Sequence, residues 1–290
     1  MKLIENRAFG FVMLLLVYLI ATASGVVSYI FLPFDFWLNL LLADVIATVV
    51  TFIFSLIFRN ASVYDPYWSV QPIVIVIGFA IKTSTFGAAQ ILPMVAIFFW
   101  GIRLTVNWAY TFHGLTHQDW RYTQLHEQTG KGYFFVNFLG IHLVPTLIVY
   151  GCTLPAVFTL EYADMLAFNA GSAVFFAVSV LAVVLQGTAD IQMHAFRKKK
   201  TGGFIRNGLW KYSRHPNYLG EITMWWGVAL AFVCIMPSHW YLIAGAFANT
   251  LLFLFISIPL ADKRQARKPG FAEYKKATRM LLPIKKRVRG

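Results

Sequence analysis

Eight long apolar segments separated by polar gaps constrain the fold of this 290-residue chain more than any other feature. A helix needs roughly 20 mostly apolar residues to cross a hydrocarbon core about 30 Å thick. Backbone polar groups in lipid must be satisfied within the segment, which favours helices over open strands. The sequence therefore predicts an all-α, polytopic transmembrane helix bundle of about eight spans, at 9–32, 36–58, 68–81, 88–111, 133–158, 165–191, 218–236 and 239–259.

Composition and charge placement favour a multi-pass membrane protein over a nucleic-acid-binding protein. Hydrophobic residues make up 58% of the chain and charged residues only 13%, against about 25% charged in soluble domains. The net charge of +13 comes from Lys and Arg in the gaps between apolar segments, and such residues accumulate on the cytoplasmic side. The basic gaps alternate with gaps whose only basic residue is Lys82, beside the acidic Glu161 and Asp164. Both termini are therefore predicted to be cytoplasmic, in a bacterial inner membrane or its equivalent.

The first and third segments each have an alternative interpretation. If the first is cleaved or the third is re-entrant, seven spans remain. Lys2 and Arg7 precede an apolar run that ends in ATAS (21–24), which is also a signal-peptide pattern. That run continues to Leu32, longer than the usual apolar region of a signal peptide, so a span is favoured. The third segment is short, carries Pro72 and follows the cluster YDPYW (64–68), so it is predicted to be tilted, broken or re-entrant.

No internal repeat or change in composition divides the chain, which predicts one membrane domain over residues 1–290. Two basic cytoplasmic pieces, the loop 194–216 and the tail 260–290, are expected to cap a cofactor side of this domain. Cys152 and Cys234 lie in apolar stretches without a CxxC pattern, so neither a disulfide framework nor a metal site is indicated.

Four polar residues end the sixth segment at helical spacing: Gln186, Asp190, His194 and Arg197. Spacings of four, four and three place them on one stripe of a single helix. Two readings are open. The stripe either faces a polar site, or it marks the exit of the helix from the membrane, with ion pairs along its end.

The following loop combines cations, paired glycines and aromatic rings, which is the chemistry that a phosphorylated ligand with a planar ring requires. Binding of anionic lipid headgroups explains the run 198–200 equally well. It does not explain a carboxylate, Glu221, that enters an apolar segment one turn after Asn217. Arg214 or a ligand is its expected partner. The candidate cofactor residues of this region are Gln186, Asp190, Arg197, Trp210, Tyr212, Arg214, His215, Asn217, Tyr218 and Glu221.

Two further polar features lie earlier in the chain. Arg103 sits inside the fourth apolar segment, where its charge needs a partner, either in a site or in a helix-helix ion pair. The Tyr and Trp residues of YDPYW (64–68) are typical of the aromatic belts found at membrane–water interfaces. Such a belt does not explain Asp65.

These motifs resemble the DUF1295 family, relatives of the membrane-bound steroid 5α-reductase and sterol reductase superfamily. The resemblance rests on Asp190 and Arg197 seven residues apart, on GLWKYSRHPNYLGE (208–221) and on PGFAEYKKATRMLLP (269–283). It implies an NADPH-dependent reductase of a carbon-carbon double bond conjugated to a carbonyl in a steroid-like or other lipid. It also implies cofactor contacts at Asp190, Arg197, Asn217 and Glu221, with Arg103 matching an arginine on an earlier span.

The chain departs from the steroid enzymes at several matching positions. Gln186 stands where they have an asparagine, and Trp100 where they have a catalytic tyrosine. Their catalytic glutamate falls nearest Asp65 or Pro66, so Asp65, with Tyr64 or Tyr67, is the hypothetical catalytic set that holds the substrate carbonyl. Pro259 and Lys263 replace an arginine and a histidine of the tail.

Two other functions fit parts of the pattern. An isoprenylcysteine carboxyl methyltransferase-like enzyme that uses S-adenosylmethionine would share RHPxYxG at a helix start, although Asp262-Lys263-Arg264 stands in place of its paired tail glutamates. A non-catalytic lipid-binding membrane protein would account for the basic surfaces and the apolar bundle. Membrane lipids are expected partners in every case, and nucleic acid in none.

Overall fold

The structure, a computed structural model, describes residues 5–84, 86–163, 166–200 and 202–283. Residue 165, where the sixth segment was predicted to start, and residues 284–290 of the predicted tail lie outside this part. All regular elements in the described residues are helical, apart from one isolated β-bridge between Ser213 and Arg279. The predicted all-α fold is therefore confirmed.

Twelve α-helices are found in the described residues, several of them continuous with 3-10 or π-helical segments. They are α1 Arg7–Phe31, α2 Phe36–Ile57, α3 Tyr67–Thr83, α4 Ala88–Thr111, α5 Trp120–Thr129, α6 Tyr133–Phe135, α7 Val144–Glu161, α8 Ala170–Lys198, α9 Pro216–Ile235, α10 Ala244–Leu252, α11 Ile258–Gln265 and α12 Phe271–Ala277. A π-helical segment, Val136–Leu143, joins α6 to α7, and another, Phe253–Ser257, joins α10 to α11.

Within these ranges, seven helical stretches are long and apolar enough to cross a membrane, which identifies a multi-pass integral membrane protein. They are Arg7–Phe31, Phe36–Ile57, Ala88–Thr111, Trp120–Glu161, Ala170–Lys198, Pro216–Ile235 and Pro237–Gln265. The third predicted segment forms α3, whose 17 residues rise about 26 Å. This is shorter than a hydrocarbon core of about 30 Å, so α3 remains the weakest of the eight predicted spans.

Large apolar side chains cover the outer faces of the long helices. Leu15 and Leu19 of α1, and Leu181 and Ile191 of α8, are all exposed. Contiguous apolar patches of this kind are rare on soluble monomers. The exposed faces therefore match a lipid environment.

The chain forms two compact units, and each has its own packing. The first contains Met1–Ser84 and Trp100–Val157, and the second contains Thr85–Phe99 and Phe158–Gly290. The single-domain organisation inferred from composition stays a prediction.

In the first unit, the linker between α2 and α3 is buried rather than looped out. Asn60 donates its side-chain amide to the carbonyl oxygens of Leu115 (2.6 Å) and His117 (3.2 Å). The Ser62 hydroxyl accepts the backbone N–H of Asp119 at 2.8 Å. These bonds satisfy backbone groups that would otherwise be unpaired in a buried turn, and they hold the short 3-10 helix Ala61–Tyr64 in the core.

In the second unit, α8 and α9 pack closely because two glycines of α9, which have no side chain, lie in their interface. A Cβ atom added at Gly220 would lie 2.7 Å from the Ala182 carbonyl oxygen, and one added at Gly227 would lie 2.8 Å from that of Phe175. The Ser179 hydroxyl contacts the Met224 carbonyl oxygen across the interface at 3.2 Å. Small residues at membrane helix interfaces allow this close approach of two backbones. The helix α9 begins at Pro216, two residues before the apolar segment predicted at 218–236.

Candidate functional sites

A buried polar pair joins α8 to α9 at the level where the close approach begins. The Gln186 amide donates to Glu221 Oε2 at 3.1 Å, and the Trp225 indole N–H donates to Glu221 Oε1 at 3.0 Å. Glu221 is 5% exposed and Gln186 is fully buried. A carboxylate at such a depth is costly unless it is hydrogen-bonded, so both donors stabilise its position.

The same pair contains an unsatisfied polar atom. Gln186 Oε1 is buried and has no hydrogen-bond partner among the described residues. Buried acceptors are nearly always paired in native proteins, and each exception needs an explanation. An N–H donor on a ligand would satisfy this oxygen beside the Glu221 carboxylate.

The remaining stripe residues continue along α8 toward its end. Asp190 lies one turn beyond Gln186 and is half-buried, whereas Arg197 is exposed in the last turn. The predicted stripe therefore lies on one continuous helix. It runs from the buried amide of Gln186 to the exposed guanidinium group of Arg197.

Arg214 and His215 form a second polar cluster, centred on a residue that the sequence reasoning did not single out. The carboxylate of Asp262 in α11 accepts Arg214 Nη2 at 3.0 Å and contacts His215 Nε2 at 3.0 Å. The Lys275 ammonium group lies 3.1 Å from the same carboxylate. Arg214, expected to pair with Glu221 or a ligand, instead pairs with Asp262 because the tail brings that carboxylate to the start of α9.

Further contacts tie the basic loop to the tail. Arg214 donates its backbone N–H to the Arg279 carbonyl oxygen at 3.0 Å and its Nη1 to that of Thr278 at 2.7 Å. The Tyr274 hydroxyl donates to the Trp210 carbonyl oxygen, and burial raises the pKa of that hydroxyl to about 12. Lys268 donates to the Gly203 carbonyl oxygen at 2.7 Å, and desolvation lowers its pKa. The GLWKYSRHP segment and the PGFAEY segment are thus parts of one folded cap.

The aromatic candidates of this cap differ in exposure. Trp210 is buried against Ala189 and Ile205, and its indole N–H donates to the Ala189 carbonyl oxygen at 3.2 Å. Tyr212 is exposed, so of these two rings it is the one open to a planar ligand. Tyr218 stacks on the His215 ring, with centroids 5.2 Å apart.

Asn217 lies in the first turn of α9, next in sequence to Tyr218 of this stacked pair. It is half-buried, and its side-chain oxygen accepts the backbone N–H of Tyr218 at 3.1 Å. Asn217 and Glu221 follow each other on one face of α9, as their spacing predicted.

The proposed catalytic set lies in the first unit, and its three side chains turn to three different partners. Asp65 Oδ1 accepts the Tyr122 hydroxyl at 2.5 Å. The Tyr64 hydroxyl bonds to Thr146 at 2.8 Å, and that of Tyr67 donates to Asp44 at 3.0 Å. The Tyr64 and Tyr67 rings are in contact, with centroids 5.5 Å apart, and their hydroxyls both reach the hydrogen-bonded pair Thr48–Thr146. Asp65 bonds separately to Tyr122.

Burial perturbs the acid of this set. It raises the pKa of Asp65 to about 6, while the nearby positive charge of Arg121 and the Tyr122 hydroxyl bond act in the opposite direction. Burial also raises the pKa of the Tyr64 hydroxyl, which therefore stays protonated. A carboxyl group with a pKa near neutrality can exchange a proton at the working pH of a cell.

Asp44 is a second acid in the first unit that sequence reasoning missed. Its Oδ1 accepts Tyr67 and its Oδ2 accepts the Gln71 amide at 2.5 Å. The available signal was the lone Asp inside the apolar segment 36–58, since an ionisable residue inside a span marks a candidate site. Arg103, the remaining candidate, lies half-buried in the part of α4 that belongs to the first unit.

Sequence similarity to known proteins covers most of the chain. The family described as "Protein of unknown function (DUF1295)" matches residues 51–278. An uncharacterized protein of Schizosaccharomyces pombe is 24% identical over an alignment of 193 residues, which covers 58% of this chain and 56% of that protein. The matched part of this chain thus spans little more than half of that relative. No solved structure matches the chain.

Proposed function

We propose that this chain, which belongs to the DUF1295 family, is an NADPH-dependent reductase of a carbon-carbon double bond conjugated to a carbonyl in a lipid. The observation that carries the proposal is the buried pair Gln186–Glu221, in which one amide oxygen lacks a donor. The RHPNYLGE motif also resembles that of the steroid 5α-reductases. In those enzymes, residues of this motif bind the cofactor.

The residues of α8 and α9 fit a nicotinamide dinucleotide in chemistry. The carboxamide of nicotinamide carries N–H donors, which match Gln186 Oε1 and the Glu221 carboxylate. Arg197 and the exposed cations 198–200 and 206 match phosphate groups. When bound, the cofactor supplies a hydride.

The protein's own residues would bind the two ends of the cofactor and supply an acid. Gln186 and Glu221 would hold the amide end of the cofactor, and the basic loop would hold its phosphates. With the cofactor bound, its hydride would go to the β-carbon of the conjugated double bond, and the resulting enolate would take a proton from solvent at the α-carbon. In the first unit, Asp65 is the acid that we propose from the family resemblance, because its protonated form can donate a hydrogen bond to a carbonyl oxygen.

A thermal-shift titration separates this function from its alternatives. Purified protein is titrated with NADPH, NADH and S-adenosylmethionine, since a ligand held at 100 times its dissociation constant stabilises the folded state by about 2.7 kcal/mol. The reductase proposal predicts the largest shift with NADPH. A shift with S-adenosylmethionine alone would support the methyltransferase-like alternative, and no shift with any of the three would favour a lipid-binding protein.

A turnover assay then tests the chemistry. The protein in lipid nanodiscs is mixed with NADPH and a panel of lipid enones, and loss of the reduced cofactor is compared with formation of the saturated ketone. We expect Asp65→Asn to lower the turnover of any accepted substrate about 10²-fold or more, the usual contribution of an acid-base group. Product formation at the wild-type rate in Asp65→Asn would remove Asp65 from the chemistry.

A further inference from the structure

A pocket of about 270 Å³ lies within the first unit, between α1, α2 and α3. One stripe of α3 lines it at helical spacing, from Tyr67 and Gln71 through Gly78 to Lys82. Tyr18 and Tyr29 line it from α1, and Asp44 from α2. Its volume is near the lower end of the range of small-molecule sites, about 300–1,000 Å³, so it suits one small lipid rather than a whole phospholipid.

Most of the lining is apolar, and three polar residues that bond to one another lie at one end of it. There the Asp44 carboxylate accepts the Tyr67 hydroxyl at 3.0 Å and the Gln71 amide at 2.5 Å. These three residues are at most 7% exposed. The pocket therefore combines an apolar body with a small hydrogen-bonding floor, the usual design of a specific small-molecule site.

The floor has an unused hydrogen-bonding atom. Gln71 Oε1 is buried and has no partner among the described residues. The hydrogen bond to Asp44 fixes which end of the amide carries the oxygen, so the missing partner is a donor. A ligand hydroxyl supplies one, because its O–H can donate to Gln71 Oε1.

The length of the pocket limits the ligand. Gln71 and Lys82 are eleven residues apart on α3, a rise of about 16 Å. An added Cβ at Gly78, between them, would meet no atom within 4 Å, so the missing side chain leaves open space along the stripe. A single extended apolar chain would fit this length, from the polar residues Asp44, Tyr67 and Gln71 to Lys82 at the other end.

We propose that this pocket, the α1–α3 pocket, binds a lipid alcohol with its hydroxyl on Gln71 and Asp44 and its apolar body along α3. Every lining residue belongs to the first unit. The site needs no cofactor, so it stands whether or not the reductase proposal is right.

The probe for this site is a photoreactive dodecan-1-ol that carries a diazirine in its chain. The full-length protein is reconstituted in phosphatidylcholine nanodiscs without nucleotide, labelled and digested, and the labelled peptides are mapped. We expect label within residues 18–29, 40–47 and 67–82, with labelling reduced at least tenfold by excess dodecan-1-ol. Label spread over the lipid-facing helices, unaffected by the alcohol, would overturn the proposal.

Competition with dodecane tests the role of the hydroxyl. One hydrogen bond in an apolar site corresponds to about a tenfold difference in affinity, so dodecane should compete about tenfold less well. Equal competition by the alkane and the alcohol would contradict a hydroxyl-binding floor and would indicate an acyl-chain pocket.

Two variants and a matched control locate the site. Gly78→Leu fills the open space and should reduce labelling about tenfold, whereas Gly140→Leu adds the same side chain where the nearest atom to the new Cβ is a Val136 methyl at 3.9 Å. Wild-type labelling in Gly78→Leu would sink the assignment. If that variant does not fold, Gln71→Leu decides, because it should weaken the alcohol about tenfold and leave the alkane unchanged.

Discussion

Asp262 is the residue on which the cap of the second unit most depends. Its buried carboxylate lies 3.0 Å from both Arg214 and His215 and 3.1 Å from Lys275. The three partners come from the start of α9 and from α12, so one carboxylate joins two segments that are far apart in sequence.

Replacement of Asp262 by alanine should strongly destabilise this cap. Removal of one partner of a buried ion pair leaves the other charge uncompensated and typically costs about 3–5 kcal/mol. We expect thermal unfolding in detergent at a clearly lower temperature, and faster proteolysis in 266–283. Glu273→Ala, which removes an exposed carboxylate of α12, is the control and should behave as wild type. Equal stability of the two variants would show that the Asp262 cluster is not structural.

The raised pKa of Asp65 gives a pH dependence with a defined sign. An Asp with a pKa of about 6 in the folded state and about 3.9 in the unfolded state binds its proton more tightly when folded. Stability should therefore fall as the pH rises from about 4 to 6 and stay lower above that, by about 3 kcal/mol. Asp65→Asn keeps an acceptor for Tyr122 but cannot ionise. Its melting temperature, measured from pH 4 to 8, should lack this decrease, and parallel curves for variant and wild type would refute the assignment.

Sequence spacing predicted the geometry of single helices well but not the partners across helices. The stripe from Gln186 to Arg197 and the turn from Asn217 to Glu221 follow from a period of 3.6 residues. The pairing of Glu221 with Gln186, and of Arg214 with Asp262, depends on which helices meet. Asp44 carries a usable signal as a lone acid in an apolar run, whereas nothing in the local sequence assigns Tyr67 and Gln71 to it.

At the scale of elements, the contact between α8 and α9 depends on two glycines. A Cβ at Gly220 would lie 2.5 Å from Gln186 Cγ and 2.7 Å from the Ala182 carbonyl oxygen, and one at Gly227 would lie 2.2 Å from Ser179 Oγ. Backbone atoms cannot move aside cheaply, so the helices would have to separate and the Gln186–Glu221 bond would lengthen.

Gly220→Ala and Gly227→Ala should each destabilise the protein by about 1–3 kcal/mol, the usual cost of overpacking. Gly78→Ala is the matched control, because it is also a helical glycine but has open space around the new Cβ. It should be neutral or stabilising by up to about 1 kcal/mol, since alanine favours helix. Thermal unfolding of the three variants checks this, and a neutral Gly220→Ala would contradict the close packing.

Element boundaries were predictable where apolar runs were uninterrupted, and less so where a helix continues through polar residues. The span predicted at 133–158 is part of one helical stretch, Trp120–Glu161, that includes a π-helical segment. The polar sequence of α5 gives no membrane signal, and its helix follows from the Asp119 cap, whose carboxylate accepts the Arg121 backbone N–H at 2.9 Å. The buried 3-10 turn before α3 was likewise invisible in hydropathy, because Asn60 and Ser62 anchor it through long-range bonds.

For the whole molecule, the membrane topology turns on α3, the helix of 17 residues. If α3 crosses the membrane, Arg59 and Ser84 lie on opposite sides and both termini are cytoplasmic, as the basic gaps predict. Single cysteines at these two positions, in a chain with Cys152 and Cys234 replaced by alanine, can be labelled with a membrane-impermeant maleimide in sealed spheroplasts. We expect labelling at position 84 and protection at position 59. The same result at both positions would make α3 re-entrant.

The central claim, that the α8–α9 site binds NADPH, is tested most directly by equilibrium dialysis of NADPH against purified wild type, Glu221→Gln and Glu273→Gln. Glu221→Gln keeps the size of the side chain and removes its charge, and Glu273→Gln makes the same change at an exposed position of α12. Charge-assisted hydrogen bonds contribute about 1.5–3 kcal/mol. The account therefore predicts that Glu221→Gln weakens NADPH binding about tenfold or more while Glu273→Gln binds as wild type does. Equal affinity of all three proteins, or no binding by wild type, would contradict it.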